Sequence, residues 1–144
     1  MINPAVQPRA KPVVLLVDDD HDLLETTSAL LEDDFEVITA SNGEEALRRF
    51  ALSDPDVVCT DYDMPGMNGI ELLRMTMTER RYVSGILLSG YREFLESSAK
   101  RGADRYLLLV KPYAPNALTD LINTAVKYTS VKRKFTLNGS THVA

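Results

Sequence analysis

Five short apolar runs punctuate this chain: PVVLLV at 12–17, FEVITA at 35–40, PDVVCT at 55–60, SGILLS at 84–89 and RYLLLV at 105–110. Four of them are nearly continuous. A strand with one wet face alternates polar and apolar residues, so continuous runs predict strands covered on both faces, as in a parallel sheet. Helix-length stretches lie between the runs. In the first, Leu23, Leu24, Thr27, Leu30 and Leu31 have the spacing of one helical face. The second opens at Ser41 with Glu44 three residues later, the pattern of a capping box, and goes on through Ala46, Leu47, Phe50 and Ala51. After Gly69, a broader pattern places Ile70, Leu72, Leu73, Met75 and Met77; a last helix carries Leu118, Leu121, Ile122, Ala125 and Val126 at helical spacing. Strands alternating with helices predict an α/β fold with a parallel sheet, helices on both faces and right-handed crossovers.

The ends of the runs carry the chemistry. The first ends in Asp18, Asp19 and Asp20, the third in Asp61, the fourth in Ser89 and the fifth in Lys111. If all are parallel strands, these residues lie along one edge of the sheet, where open α/β sheets bind their ligands. Aspartates at strand ends often only cap the next helix, as Asp20 or His21 would here, and Lys111 alone would be read as a salt bridge to Asp18 or Asp61. Convergence of the whole set is harder to explain that way. Clustered carboxylates repel and take up protons unless a cation sits among them, and an all-oxygen set suits a hard divalent ion such as Mg²⁺. With a lysine and a hydroxyl added, the set meets the needs of phosphoryl transfer, which are positioning and charge stabilisation. One carboxylate is then a nucleophile that would form an aspartyl phosphate.

Composition narrows the class. The 144 residues fit one domain with a real core, and a net charge of −5 disfavours nonspecific contact with nucleic acid. The one cysteine, Cys59, excludes an intrachain disulfide and suits a small buried residue in a reducing cytoplasm. No run is long enough to span a membrane, and MINPAVQPRAK has no apolar signal-peptide core. Residues 1–11 are expected to be a flexible leader, 12–128 the domain, and 129–144 a tail or the start of a linker, with the basic VKRKF at a frayed helix end.

LLVDDD, TDYDMPGMNGIELL, LLSG and VKPY, in this order and spacing, resemble the receiver domain of two-component response regulators, of the CheY-like kind, over about residues 12–128. The resemblance implies a doubly wound, flavodoxin-like sheet of five strands in the order 2-1-3-4-5. It implies that Asp61 is the phosphoacceptor and that Asp18 and Asp19 hold Mg²⁺ or Mn²⁺ with Asp61 and the backbone carbonyl of Asp63. Ser89 and Lys111 then stand beside the phosphoryl group, and the Lys111–Pro112 bond is expected to be cis. His21 matches no ligand and is read as surface. Asp63 and Tyr91, each two residues beyond a site residue, would set the lifetime of the phosphoryl group. The implied partners are a sensor histidine kinase or phosphotransfer protein and a downstream target that the sequence does not name. The domain is expected to be a cytoplasmic monomer or weak dimer without direct nucleic-acid or membrane binding, and a phosphoacceptor with self-phosphorylation and autodephosphorylation activity rather than an enzyme.

The sequence departs from the family pattern before the lysine. Gly102, Ala103 and Tyr106 are displaced, so Leu108 takes the usual aromatic position and Tyr106 sits two residues farther from the site, roughly 6.6 Å along a strand. Tyr106 and Leu108 should still share a face. The surface formed by the fourth helix, fifth strand and fifth helix is expected to be rebuilt, with a phosphorylation-linked dimer that is weak or absent. At YAPN, Ala114 offers no side-chain cap, while Pro115 suits the first helical position. Two other functions compete. A haloacid-dehalogenase-type phosphatase also begins with D-x-D after a strand, but wants Thr or Val where this chain has Pro65. The other is a phosphorylation-independent receiver-like scaffold; intact Asp18, Asp19, Asp61, Ser89 and Lys111 argue against lost chemistry, but not against added contacts of that kind.

Overall fold

The computed structural model describes residues 11–90 and 106–139. Its elements run β1 (Val13–Val17), α1 (His21–Leu31), β2 (Glu36–Ala40), α2 (Gly43–Leu52), β3 (Val57–Asp61), α3 (Gly69–Glu79), β4 (Ser84–Ser89), β5 (Leu107–Val110) and α4 (Pro115–Gly139). All strand pairs are parallel, in the order β2-β1-β3-β4-β5. This is the doubly wound, flavodoxin-like sheet expected from the sequence. Burial explains the composition of four strands: β1, β3 and β4 are buried at every residue, whereas Glu36 of the edge strand β2 is exposed; the other edge strand, β5, is continuous LLLV although only half-buried. The one run that was not continuous is the edge strand that one side of the sheet leaves open.

Strand alternation deals the core into two layers. Leu15, Val17, Val58 and Leu87 face Ala46 and Phe50 of α2 and Leu72 and Leu73 of α3. Val14, Leu16, Cys59, Ile86 and Leu88 face Leu24 and Leu31 of α1 and Leu118 and Ile122 of α4. Tyr106 is buried in the first layer, against which Leu108 also packs, while Leu107 and Leu109 pack on the second. The expected shared face of Tyr106 and Leu108 is therefore present. Burial pushes the Cys59 thiol up to about 12, so it is an inert core group. No helix among the described residues is long and apolar enough to cross a membrane.

Several local expectations need correction. The α2 cap is Asn42, whose side chain accepts from Glu45 N–H, while Glu45 takes the Ser41 N–H; Ser41 and Glu44 are not the pair. The apolar face of α1 is narrower than its sequence suggests, with Leu23 and Leu30 38% and 43% exposed and Leu24, Thr27 and Leu31 buried. Met75 of α3 is exposed and Thr76 is buried instead, satisfied by the Leu72 carbonyl. A frayed end at 129 is not what forms: α4 continues to Gly139, Thr129 is fully buried, and Arg133 reaches Asp54 and Asp56. The leader, apart from Lys11, and the segment holding Tyr91, Gly102 and Ala103 lie outside the described residues.

Candidate phosphoacceptor and metal site

Parallel register brings the predicted residues to one edge. Asp61 is the last residue of β3 and pairs with Leu88, and Ser89 ends β4 opposite Val110. Asp18 and Asp19 follow β1 directly, and Lys111 follows β5, its N–H donating to the Ser89 carbonyl at 2.8 Å. A cavity of about 460 Å³ opens here, lined by Asp18, Asp19, Asp61, Asp63, Ser89 and Lys111 together with Asp20, Leu23 and Gly90. All six residues singled out in the sequence border it. Leu23, expected in the core, forms part of its wall.

Geometry within the cavity is close. Carboxylate oxygens of Asp18, Asp19 and Asp61 lie within 4.8 Å of one another. Lys111 Nζ donates to Asp61 Oδ1 at 2.7 Å, across a pair that is largely shielded on the Asp61 side. Asp18, Asp61 and Ser89 are buried and Asp19 and Asp63 exposed, so the cluster has a dry floor and a wet rim. Burial is the main cause that lifts the Asp18 carboxyl above its usual range; the Asp20 N–H, donating to Oδ1 at 3.0 Å, pulls it back, Asp61 pushes it up again, and Lys111 opposes that. Asp20 itself caps α1 by accepting the Leu23 N–H at 3.1 Å. Charge shortage rather than hydrogen-bond shortage is what strains this cluster. An all-oxygen set in which burial and neighbouring carboxylates disfavour the charged form of Asp18 fits a hard divalent cation. The Lys111–Pro112 peptide is cis.

The floor beneath Asp61 was not singled out in the sequence. Asn68 and Glu71 form a reciprocal capping box at the start of α3, and Gly69 N–H donates to the Tyr62 carbonyl at 2.9 Å. A Cβ built on Gly69 would sit 2.3 Å from the Asp61 carbonyl oxygen and 2.9 Å from Tyr62 Cα, both backbone atoms that cannot swing aside. The signal was available in N-x-x-E after the proline-glycine turn. Gly69→Ala should therefore destabilise the domain by about 2 kcal/mol or more in urea unfolding, because the Asp61–Tyr62 backbone has to shift to make room. Wild-type stability in that variant would show that α3 can retreat freely.

Comparison with known proteins agrees with this architecture. Residues 14–123 match the response regulator receiver domain family. The nitrate/nitrite response regulator NarL of Escherichia coli is 34% identical over 123 residues, covering 80% of this chain and 55% of that protein. The chemotaxis protein CheY of Listeria monocytogenes is 30% identical over 118 residues, covering 79% of this chain and 98% of that protein. The chain thus spans about half the length of relatives such as NarL. Among solved structures, a response regulator receiver domain from Clostridium thermocellum superposes with a TM-score of 0.75 at 30% identity, covering 83% of this chain and 98% of its own. With the fold, the acidic edge and these relatives in agreement, the chain belongs to the receiver domains of two-component response regulators.

Proposed function

We infer that this domain accepts a phosphoryl group on Asp61 from a sensor histidine kinase, a phosphotransfer protein or a small phosphodonor, and that the modification switches the binding of a downstream partner. The observation that carries this reading is the 2.7 Å contact of Lys111 Nζ with Asp61 Oδ1 inside a cavity whose other charged groups are carboxylates. Asp18, Asp19 and Asp61, with the backbone carbonyl of Asp63, would hold Mg²⁺ or Mn²⁺. When bound, the ion supplies positive charge that neutralises the carboxylates and the phosphoryl oxygens.

The remaining steps belong to the chain. A carboxylate oxygen of Asp61 attacks phosphorus, and an O–P bond forms as the P–N bond of a phosphohistidine breaks. The bonding pair leaves with the imidazole nitrogen, which takes up a proton. Lys111 then offers its ammonium to a phosphoryl oxygen, and the buried Ser89 hydroxyl offers a second hydrogen bond. Hydrolysis of the acyl phosphate restores the carboxylate, which makes the domain a self-modifying switch rather than a turnover enzyme. Its place of action in this reading is the cytoplasm.

Incubation with acetyl phosphate and Mg²⁺ tests the assignment by intact mass. The wild-type chain is expected to gain one phosphoryl group, lost again on standing, and Asp61→Asn to gain none. Equal incorporation in Asp61→Asn, or none in the wild type, would remove Asp61 from its role.

A further inference from the structure

The second half of α4 presents a face that neither the sheet nor the phosphoacceptor site uses. Leu118, Ile122, Ala125 and Thr129 are buried along the core side of the helix. Around the helix from them, Tyr128 and Val131 are each 52% exposed and Phe135 is 72% exposed. With the half-buried Leu121 and Thr124, these residues recur at alternating spacings of three and four, the a and d positions of a heptad. A stripe of this kind on an isolated helix end would carry little meaning, because frayed helices expose what they must. This one is held. Thr129 Oγ1 donates to the Asp56 carbonyl at 2.7 Å, Lys132 Nζ donates to the Val83 carbonyl at 3.3 Å, and Arg133 pairs with Asp54 and Asp56 at 3.2 Å. Those anchors fix the helix on the sheet edge opposite the acidic cavity and leave the stripe facing outward.

Charge states what can cover it. From residue 121 to 144 the chain carries Lys127, Lys132, Arg133 and Lys134 and no acidic residue, although the whole chain has a net charge of −5. Lys127 and Lys134 are exposed and occupy the heptad positions flanking one side of the stripe; Lys132 flanks the other. A second copy docking in parallel would set Lys127 against Lys132, and an antiparallel copy would set Lys127 against Lys134. Both arrangements oppose like charges. The chain's own MINPAVQPRAK segment carries Arg9 and Lys11 and no acid, so it does not complement the stripe either.

We propose that the second half of α4 docks an acidic amphipathic helix of another protein, which seats an apolar seam on Tyr128, Val131 and Phe135 and sets flanking glutamates or aspartates against Lys127 and Lys134. The contact is helix against helix, with charge selecting the partner. It is independent of Asp61.

The test uses a dye-labelled peptide of four heptads with a leucine seam and glutamate at both flanking positions, whose own charges keep it from self-pairing, and a control with lysine at those positions. Fluorescence anisotropy with the full chain should show binding of the acidic peptide that weakens as salt rises. Affinity should fall about tenfold or more in the Lys127→Glu/Lys134→Glu double variant and in Phe135→Ser, with melting temperatures unchanged. Equal binding of the lysine peptide, or no binding of the acidic one at about 1 mM, overturns the proposal. So does self-association of the chain that Phe135→Ser abolishes, and so does pelleting with phosphatidylglycerol vesicles by a chain that ignores the acidic peptide.

Discussion

Changing Asp18 to asparagine is expected to make the metal-free domain more stable and to abolish most of the stability it gains from Mg²⁺. These opposite signs follow from the cavity. Asp18 is buried, and its carboxylate oxygens share a 4.8 Å cluster with those of Asp19 and Asp61, while Lys111 is committed at 2.7 Å to Asp61. Without a divalent ion the cluster holds three carboxylates against one ammonium. Asparagine keeps the oxygen that accepts the Asp20 N–H at 3.0 Å, so the loop before α1 retains its hydrogen bond while the charge is removed. The gain should be of the order of 1–3 kcal/mol in urea unfolding with a chelator present. The pH dependence has a defined sign. Burial, then repulsion from Asp61 and Asp19, hold the folded Asp18 carboxyl above its ordinary value of 3.8, so the folded state keeps a proton that the unfolded chain has already released. Stability from this group is present below that value and is lost as pH rises through the raised one. The Asp18→Asn change removes that slope. If the cluster holds Mg²⁺ as proposed, the added ion should stabilise the wild type by about 1.4 kcal/mol at ten times its dissociation constant, and the variant by much less. A variant less stable than wild type in chelator would mean that Asp18 is held mainly by attraction, against the electrostatic account of the site.

The candidate site was legible because its charged residues sit where the strand pattern itself stops. Val17 to Asp18, Thr60 to Asp61 and Val110 to Lys111 are each a step from an uncharged strand residue to a charged one, and parallel pairing needs only the direction of each strand to bring such steps together. Register errors do not disturb that. The strand at 55–60 forms at 57–61 and that at 105–110 forms at 107–110, yet Asp61 and Lys111 keep their edge. What the sequence concealed depends on single partners rather than on periodicity. Ser41 and Asn42 are adjacent residues of similar capping power, and Glu45 rather than Glu44 decides between them by reaching the Ser41 N–H. Leu23 has the spacing of a core residue but emerges at the mouth of the cavity. Nothing in the spacing separates it from Leu24. The packed end of α4 was hidden for a different reason: its contacts with the sheet are polar, and polar contacts leave no helical period to read.

That polar end leads to the second large effect. A chain stopped after Tyr128 is expected to lose on the order of 2–4 kcal/mol of stability, although it retains the whole of residues 12–128. Removal of residues 129–144 takes away the Thr129 hydroxyl, which donates to the Asp56 carbonyl at 2.7 Å and shares a second hydrogen bond with Ser84 Oγ at 2.8 Å in a fully buried position. It also takes away Arg133, whose guanidinium spans Asp54 and Asp56 and lies 4.1 Å over the Tyr82 ring. Asp54 is partly exposed, so its pair with Arg133 is screened and contributes least; Tyr82 Oη, donating to the same carboxylate at 2.6 Å, keeps it placed. The weight falls on Thr129, because Ser84 opens β4 and Asp56 precedes β3, and both would meet water at the lower edge of the sheet's centre. Asp56 also takes the Val13 N–H at 2.8 Å, so loosening there reaches β1. Single changes separate the contributions. Thr129→Val keeps the volume and removes the hydroxyl, and should cost about 1–3 kcal/mol, whereas Phe135→Ser, at a residue 72% exposed, should cost almost nothing. Denaturation of the three proteins in parallel is the measurement. If the chain ending at Tyr128 melts with the full one, the second half of α4 is an appendage to this domain, and the anchors that hold its outward stripe have no energetic weight.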